Sequence, residues 1–155
     1  MIKVGDPAPA FEASDQEGKV HTLQDYEGRW LVLYAYPKDD TSGCTTQACG
    51  FRDNLASLQA QGAAVLGVSA DDAASHRKFD DKFSLGFPLL VDPDKALMEA
   101  YGVWGEKQAY GRTSVGVHRK TFLIAPDGTV ARVWPKVKVE GHADEVREAI
   151  RELSA

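Results

Sequence analysis

The sequence predicts an α/β fold in which a central mixed β-sheet of about five strands is flanked by helices, with a β-hairpin at its N-terminal end. Three observations lead there. "WLVLYAY", Trp30 to Tyr36, is an unbroken apolar run rich in aromatic and aliphatic residues, as a strand buried on both faces requires. Strand-like and helix-like segments then alternate as far as Gly102, and crossovers of that kind lay successive strands parallel. The remaining chain supplies two strands joined by a turn and a closing amphipathic helix.

Each element has its own signal. In "VGDPAPAFEASDQEGKVHTL" the turn residues Asp15 to Gly18 separate two short strand-like pieces, which predicts the N-terminal hairpin. "WLVLYAY" is the expected central strand, and Pro37 ends it. From about Cys44 to Gln61 the apolar Phe51, Leu55 and Leu58 recur at helical spacing, and Gly62 stops the helix. "AAVLGVS", Ala63 to Ser69, reads as a second buried strand, and the segment from Asp71 opens with an acidic cap and continues as a helix. "FPLLVD", Phe87 to Asp92, is a short strand with a proline near its start; "PDKALMEAYG" is a brief helix ended by Gly102. "KTFLIA", the turn "PDG" and "TVARVW" form the later strand pair. The last helix, "HADEVREAIREL", places Val146, Ile150 and Leu153 on one face. This order is that of a thioredoxin-like fold.

At 155 residues the chain is expected to form one domain, residues 1–155, large enough to bury roughly two-thirds of the surface its unfolded form exposes. Its net charge is −5, from 18 basic and 23 acidic residues, and its longest basic run is "HRK" at His118 to Lys120. A nucleic-acid partner is therefore not expected. The opening "MIKVGDPAPAF" lacks the apolar stretch of a signal peptide, and "WLVLYAY" is too short to cross a bilayer. The expectation is a cytoplasmic protein with no membrane partner.

The chain's two cysteines, Cys44 and Cys49, both fall at the start of the first predicted helix. In a reducing compartment such a pair points to redox, catalytic or metal chemistry rather than a permanent bridge. At a helix start, unpaired backbone N–H groups and the macrodipole stabilise a thiolate. Thr41 and Ser42 add hydroxyls, and Gly43 lets a ligand approach the backbone. Burial as small core side chains is the alternative, since free cysteine is often buried. A metal site is not expected: His21, His76, His118 and His142 form no ligand-spaced cluster and each reads as a surface residue. No cofactor is implied.

In a regular helix, residues five apart have Cα atoms about 8.6 Å from one another. A disulfide needs less than about 7 Å. Any bridge between Cys44 and Cys49 therefore requires the first turns to unwind, and Gly50, costing about 1 kcal/mol against alanine in a helix, is a candidate hinge or, equally, a site of close packing.

The loop "PKDDTSGCTTQAC" resembles the active-site signature of the peroxiredoxins, in particular the bacterioferritin comigratory protein or peroxiredoxin Q group, and "GVWGEKQAYGRTSVGVHRKTFLIAPDGTV" resembles that group's downstream segment. The resemblance runs from about Val4 to Leu153. It implies a thiol peroxidase that reduces hydrogen peroxide and alkyl hydroperoxides, with Cys44 peroxidatic and Cys49 resolving in the same chain. It further implies that Thr41, Arg119 and the backbone N–H groups of Gly43 and Cys44 bind the peroxide, that Pro37 shields the thiolate, and that thioredoxin or a similar dithiol is the reductant. Because both cysteines lie in one chain, a monomer suffices. This chain departs from the group at Ser42, where proline is usual, and the loop is expected to be less preorganised as a result. Two other readings stay open: a peroxide sensor or disulfide exchanger acting on a partner, and an interaction module with incidental cysteines. A Cys-x-x-Cys pair, the mark of thioredoxin-type reductases, does not occur.

Overall fold

The computed structural model describes residues 1–155, except for the side chain of Ala109. Its strands are β1 (Glu12–Ser14), β2 (Val20–Thr22), β3 (Trp30–Ala35), β4 (Ala63–Ser69), β5 (Leu89–Val91), β6 (Trp104–Ala109), β7 (Arg112–Val117), β8 (Lys120–Ile124) and β9 (Val130–Trp134). Its helices are α1 (Ser42–Ala60), α2 (Ala73–Phe83), α3 (Ala96–Ala100) and α4 (His142–Ser154). A 7-stranded sheet runs in the order β2-β1-β5-β4-β3-β8-β9. β3, β4 and β5 are parallel, while β8 pairs antiparallel with β3 and β9 with β8. This is the mixed, helix-flanked sheet expected from the alternating segments.

The sheet is wider than expected because the N-terminal hairpin joins it: β1 pairs antiparallel with β2, and Ser14 pairs with Val91 of β5. The hairpin of β6 and β7 was not legible in the sequence and forms a separate 2-stranded sheet. Its side chains are mostly exposed or half-buried, so no alternation of apolar and polar residues marks it. Its turn residues, Tyr110 and Gly111, have φ of 54° and 75°, the consecutive left-handed pair that a tight hairpin turn uses.

Alternation along β3 divides the core. Leu31, Leu33 and Ala35 pack on one side of the sheet, with Leu66, Leu90, Met98 and Phe122. Val32, Tyr34 and Tyr36 pack on the other, with Phe51, Leu58, Phe79, Val146 and Ile150 from α1, α2 and α4. Burying each such large side chain contributes about 1.5–3 kcal/mol. Gly67 of β4 makes room for the Tyr34 ring, since a Cβ there would lie 3.1 Å from its Cζ. Tyr34 then stacks on Phe51 with ring centroids 4.7 Å apart, pinning α1 to the sheet. Leu153, on the same stripe of α4 as Val146 and Ile150, lies at the helix end and is 41% exposed.

The reading of the histidines as surface residues is corrected for three of them. His21, His76 and His142 are buried; His21 and His76 have hydrogen-bond partners at both ring nitrogens, while His142 has one at Nε2 and none at Nδ1 among the described residues. His21 joins Asp15 to Tyr26, His76 joins Asp39 to the Leu90 carbonyl, and His142 meets Thr121. For His76 and His142 the polar partners that decide burial are distant in sequence, whereas those of His21 lie on the two sides of its own hairpin strand, at Asp15 and Tyr26.

Candidate active site

The site forms where the C-terminal end of β3 passes through a loop into α1. Thr41, in extended conformation with φ −91° and ψ 157°, is the N-cap. Ser42, Gly43 and Cys44 are therefore the first three helical residues, and the helix begins two positions before the expected start at Cys44. The first turn holds no acidic residue, and the Thr41 side chain makes no capping bond. The positive end of the helix is thus left for a different anion.

Cys44 sits in that end. It is only 1% exposed and packs within the core layer that contains Tyr34, Tyr36 and Phe51. Arg119, between β7 and β8, reaches it from the far side of the sequence: its Nη2 donates to Cys44 Sγ at 3.2 Å. Its Nη1 donates to Gln47 Oε1 at 2.6 Å. One planar guanidinium thus engages both the sulfur and a residue one turn along the same helix, which fixes its orientation. Gly43 leaves room for it. A sulfur anion placed here meets a permanent cation and the N-terminal dipole together.

The other sequence-predicted residues take distinct places. Thr41 is exposed, and its hydroxyl donates to the Lys38 carbonyl at 2.8 Å. Its oxygen lone pairs remain able to accept. Pro37 follows Tyr36 directly and is partly buried. Cys49 is half-buried further along α1, and both cysteines are free thiols in an uninterrupted helix. Gly50 lies against α4, where a Cβ would stand 3.8 Å from Ala143 Cβ, an ordinary contact.

Gln47 was missed in the sequence. It is buried, and its Nε2 has no partner among the described residues, as is also true of the Tyr34 hydroxyl. Its spacing offered a signal: three residues after Cys44 on a helix lies on the same face. Burial first, then the neighbouring Cys44, pushes the Tyr34 phenol well above its ordinary range, so it is a neutral wall of the site. Burial likewise lowers His142, with Arg119 adding to the shift and Glu145 opposing it.

The family model described as AhpC/TSA matches residues 4–133. Over 145 residues the chain is 47% identical to a peroxiredoxin bcp of Coxiella burnetii, covering 94% of this chain and 96% of the relative. It is 42% identical over 153 residues to peroxiredoxin Bcp of Bacillus subtilis, covering 99% and 98%. Among solved structures, the bacterioferritin comigratory protein of Xanthomonas campestris, studied for its alkyl peroxide reduction activity, superposes with a TM-score of 0.91 at 41% identity, covering 100% of this chain and 99% of that one. A peroxiredoxin Q mutant from Xylella fastidiosa gives a TM-score of 0.94 at 36% identity, covering 100% and 99%. The chain therefore belongs to the AhpC/TSA family, among its Bcp or peroxiredoxin Q peroxiredoxins.

Proposed function

We propose that this protein is a thiol-dependent peroxidase that reduces hydrogen peroxide and alkyl hydroperoxides, with Cys44 as the peroxidatic and Cys49 as the resolving cysteine. The observation that carries the assignment of Cys44 is the Arg119 Nη2 to Cys44 Sγ contact of 3.2 Å at the start of α1. The Xanthomonas relative's alkyl peroxide reduction supports the substrate class.

The Cys44 thiolate attacks the terminal oxygen of the hydroperoxide. An S–O bond forms, the O–O bond breaks, and the alkoxide that leaves takes a proton from water. Arg119 and the backbone N–H groups of Gly43 and Cys44 supply donors to the oxygens on which charge develops. Thr41, with its hydrogen given to Lys38, accepts from the hydroperoxide O–H. Pro37 restricts water at the loop. The Cys44 sulfenic acid then condenses with the Cys49 thiol, releasing water and forming a disulfide, after the first turns of α1 have unwound. A thioredoxin-type dithiol reduces that disulfide by exchange and is itself oxidised.

The same reading takes residues 1–155 as one domain that works as a monomer in the cytoplasm. Among the described residues no helix is long and apolar enough to cross a membrane.

Intact mass of the reduced protein after one equivalent of hydrogen peroxide tests these roles. Wild type is expected to lose two hydrogens as a monomeric disulfide, Cys49→Ser to yield a trappable sulfenic acid, and Cys44→Ser to stay unreacted. If all three stay reduced while a control peroxidase is oxidised, the assignment fails.

A further inference from the structure

Behind the active-site loop lies a buried polar cluster that the peroxidase chemistry does not use. Asp39, in the loop between β3 and α1, is buried. Its Oδ1 accepts from the Tyr36 hydroxyl at 2.5 Å. Its Oδ2 accepts from Ser75 Oγ at 2.8 Å and faces His76 Nδ1 at 2.6 Å. Its backbone N–H donates to Asp71 Oδ2 at 2.8 Å, and Ser69 Oγ donates to the same oxygen at 2.6 Å. On the other side of the ring, His76 Nε2 lies 2.9 Å from the Leu90 carbonyl of β5. His76 is fully buried in α2.

Asp39 already accepts from Tyr36 and Ser75, so both partners of the His76 ring, a carboxylate oxygen and the Leu90 carbonyl, face it as acceptors. A neutral imidazole has one N–H and leaves one of these short contacts without a hydrogen; the imidazolium satisfies both. Burial on its own would lower His76, but the hydrogen bond and charge of Asp39, the Leu90 carbonyl and the charge of Asp71 outweigh it, and the net shift is upward. The groups facing the ring are thus Asp39 and Tyr36 from the loop side, Asp71 ahead of α2, and Leu90 from β5. A surface pair, Lys82 Nζ to Asp40 Oδ2 at 2.8 Å, ties the next loop residue to the same helix.

We infer that His76, as an imidazolium bridging Asp39 and the Leu90 carbonyl, is a positioning residue that clamps the loop before Cys44 in its peroxide-binding form and opposes the unwinding that disulfide formation requires. This rests on the peroxidase reading for its consequence, though the clamp itself does not. The other anchors of the loop gather at the same place, Tyr36, Ser75 and Asp71 on Asp39 and Lys82 on Asp40, whereas the Thr41 hydroxyl nearer Cys44 binds only its neighbour Lys38. Release of the His76 proton removes a charge-assisted bond from the cluster. The unwound state then gains at the expense of the folded site, so peroxide attack slows and resolution quickens.

The test compares wild type with His76→Asn, Asp39→Asn and Ser75→Ala, each first shown to be folded by circular dichroism and thermal melting. Amide exchange of residues 38–46 is followed in the reduced protein, and the rates of peroxide oxidation and disulfide formation are followed against pH. Loss of a charged hydrogen bond is expected to raise exchange in His76→Asn by roughly tenfold or more, lower the oxidation rate and raise the resolution rate. Wild-type resolution is expected to accelerate as His76 deprotonates, with that step absent from His76→Asn. Unchanged exchange in the folded variants, or the same pH step in wild type and His76→Asn, overturns the clamp. If the Asn variants do not fold, Ser75→Ala and the wild-type exchange-versus-pH profile decide it. Altered exchange with no peroxide reactivity in any form, wild type included, supports the clamp and sinks the peroxidase reading instead.

Discussion

Gly43 and Arg119 are fitted to each other: a Cβ added to Gly43 would stand 3.3 Å from Arg119 Nη2, inside ordinary contact. Gly43 does not have a positive φ, so its value lies in space rather than in backbone freedom. Gly43→Ala is therefore expected to separate stability from activity. Alanine in a helix stabilises the fold by up to about 1 kcal/mol, while the displaced guanidinium loses its hold on the sulfur. Stopped-flow oxidation by peroxide should slow by roughly tenfold, as when one charged hydrogen bond is weakened. An unchanged rate with an unchanged melting temperature would show that Arg119 shifts without consequence.

Ser42 occupies the first helical position, where proline is favoured, and Thr41 before it already has the extended conformation, φ −91° and ψ 157°, that a following proline demands. Ser42→Pro should stabilise the folded site by about 0.4–1 kcal/mol through the unwound state's lost freedom. Disulfide formation after peroxide treatment should slow roughly two- to fivefold, with attack by Cys44 unchanged or faster. Quenched-flow mass spectrometry of the sulfenic acid reads this directly.

Gly50 tests the hinge from inside the helix. Because a methyl group there meets Ala143 at 3.8 Å, Gly50→Ala fits without displacement. It should strengthen the helix by about 1 kcal/mol and slow resolution by roughly fivefold. More Cys44 should then reach sulfinic acid under repeated peroxide doses. If resolution keeps its wild-type rate, unwinding does not pass through Gly50.

The buried histidines should give stability two opposite pH dependences. His76 is raised in the folded state, so its contribution is complete below the unfolded value of about 6.5 and lost as pH climbs through the higher folded value. His142 is lowered, so its contribution is complete above about 6.5 and lost as pH falls towards the lower folded value. Urea denaturation against pH should show His76→Asn flattening the alkaline side and His142→Gln the acidic side. A variant that leaves both limbs unaltered would refute the assignment for its residue.

Much of the fold was legible because local pattern and tertiary role agree. The apolar β3 is buried on both faces, and the turn at Asp15 to Gly18 does join β1 to β2. The β6–β7 hairpin was not legible because it buries too little to carry a pattern. At the site, position along α1 was readable for Cys44 and Cys49, but Arg119 was identified only through resemblance: its partner is 75 residues away. Gln47 and His76 were missed for the same reason. Each is polar and buried, and what makes burial acceptable comes from another part of the chain.

The stacking of Phe51 on Tyr34 has a consequence for the whole redox cycle. Phe51 is fully buried against the sheet and follows Cys49 by two residues, so under the proposed resolving step an unravelling from Ser42 would free both cysteines and meet an aromatic stop at Phe51. The rest of α1, from Phe51 to Ala60, would then stay docked as a template on which the loosened turns rewind once the disulfide is reduced. Each round of the proposed cycle would thus melt and re-anneal a short ribbon while its anchor keeps the place to which that ribbon returns.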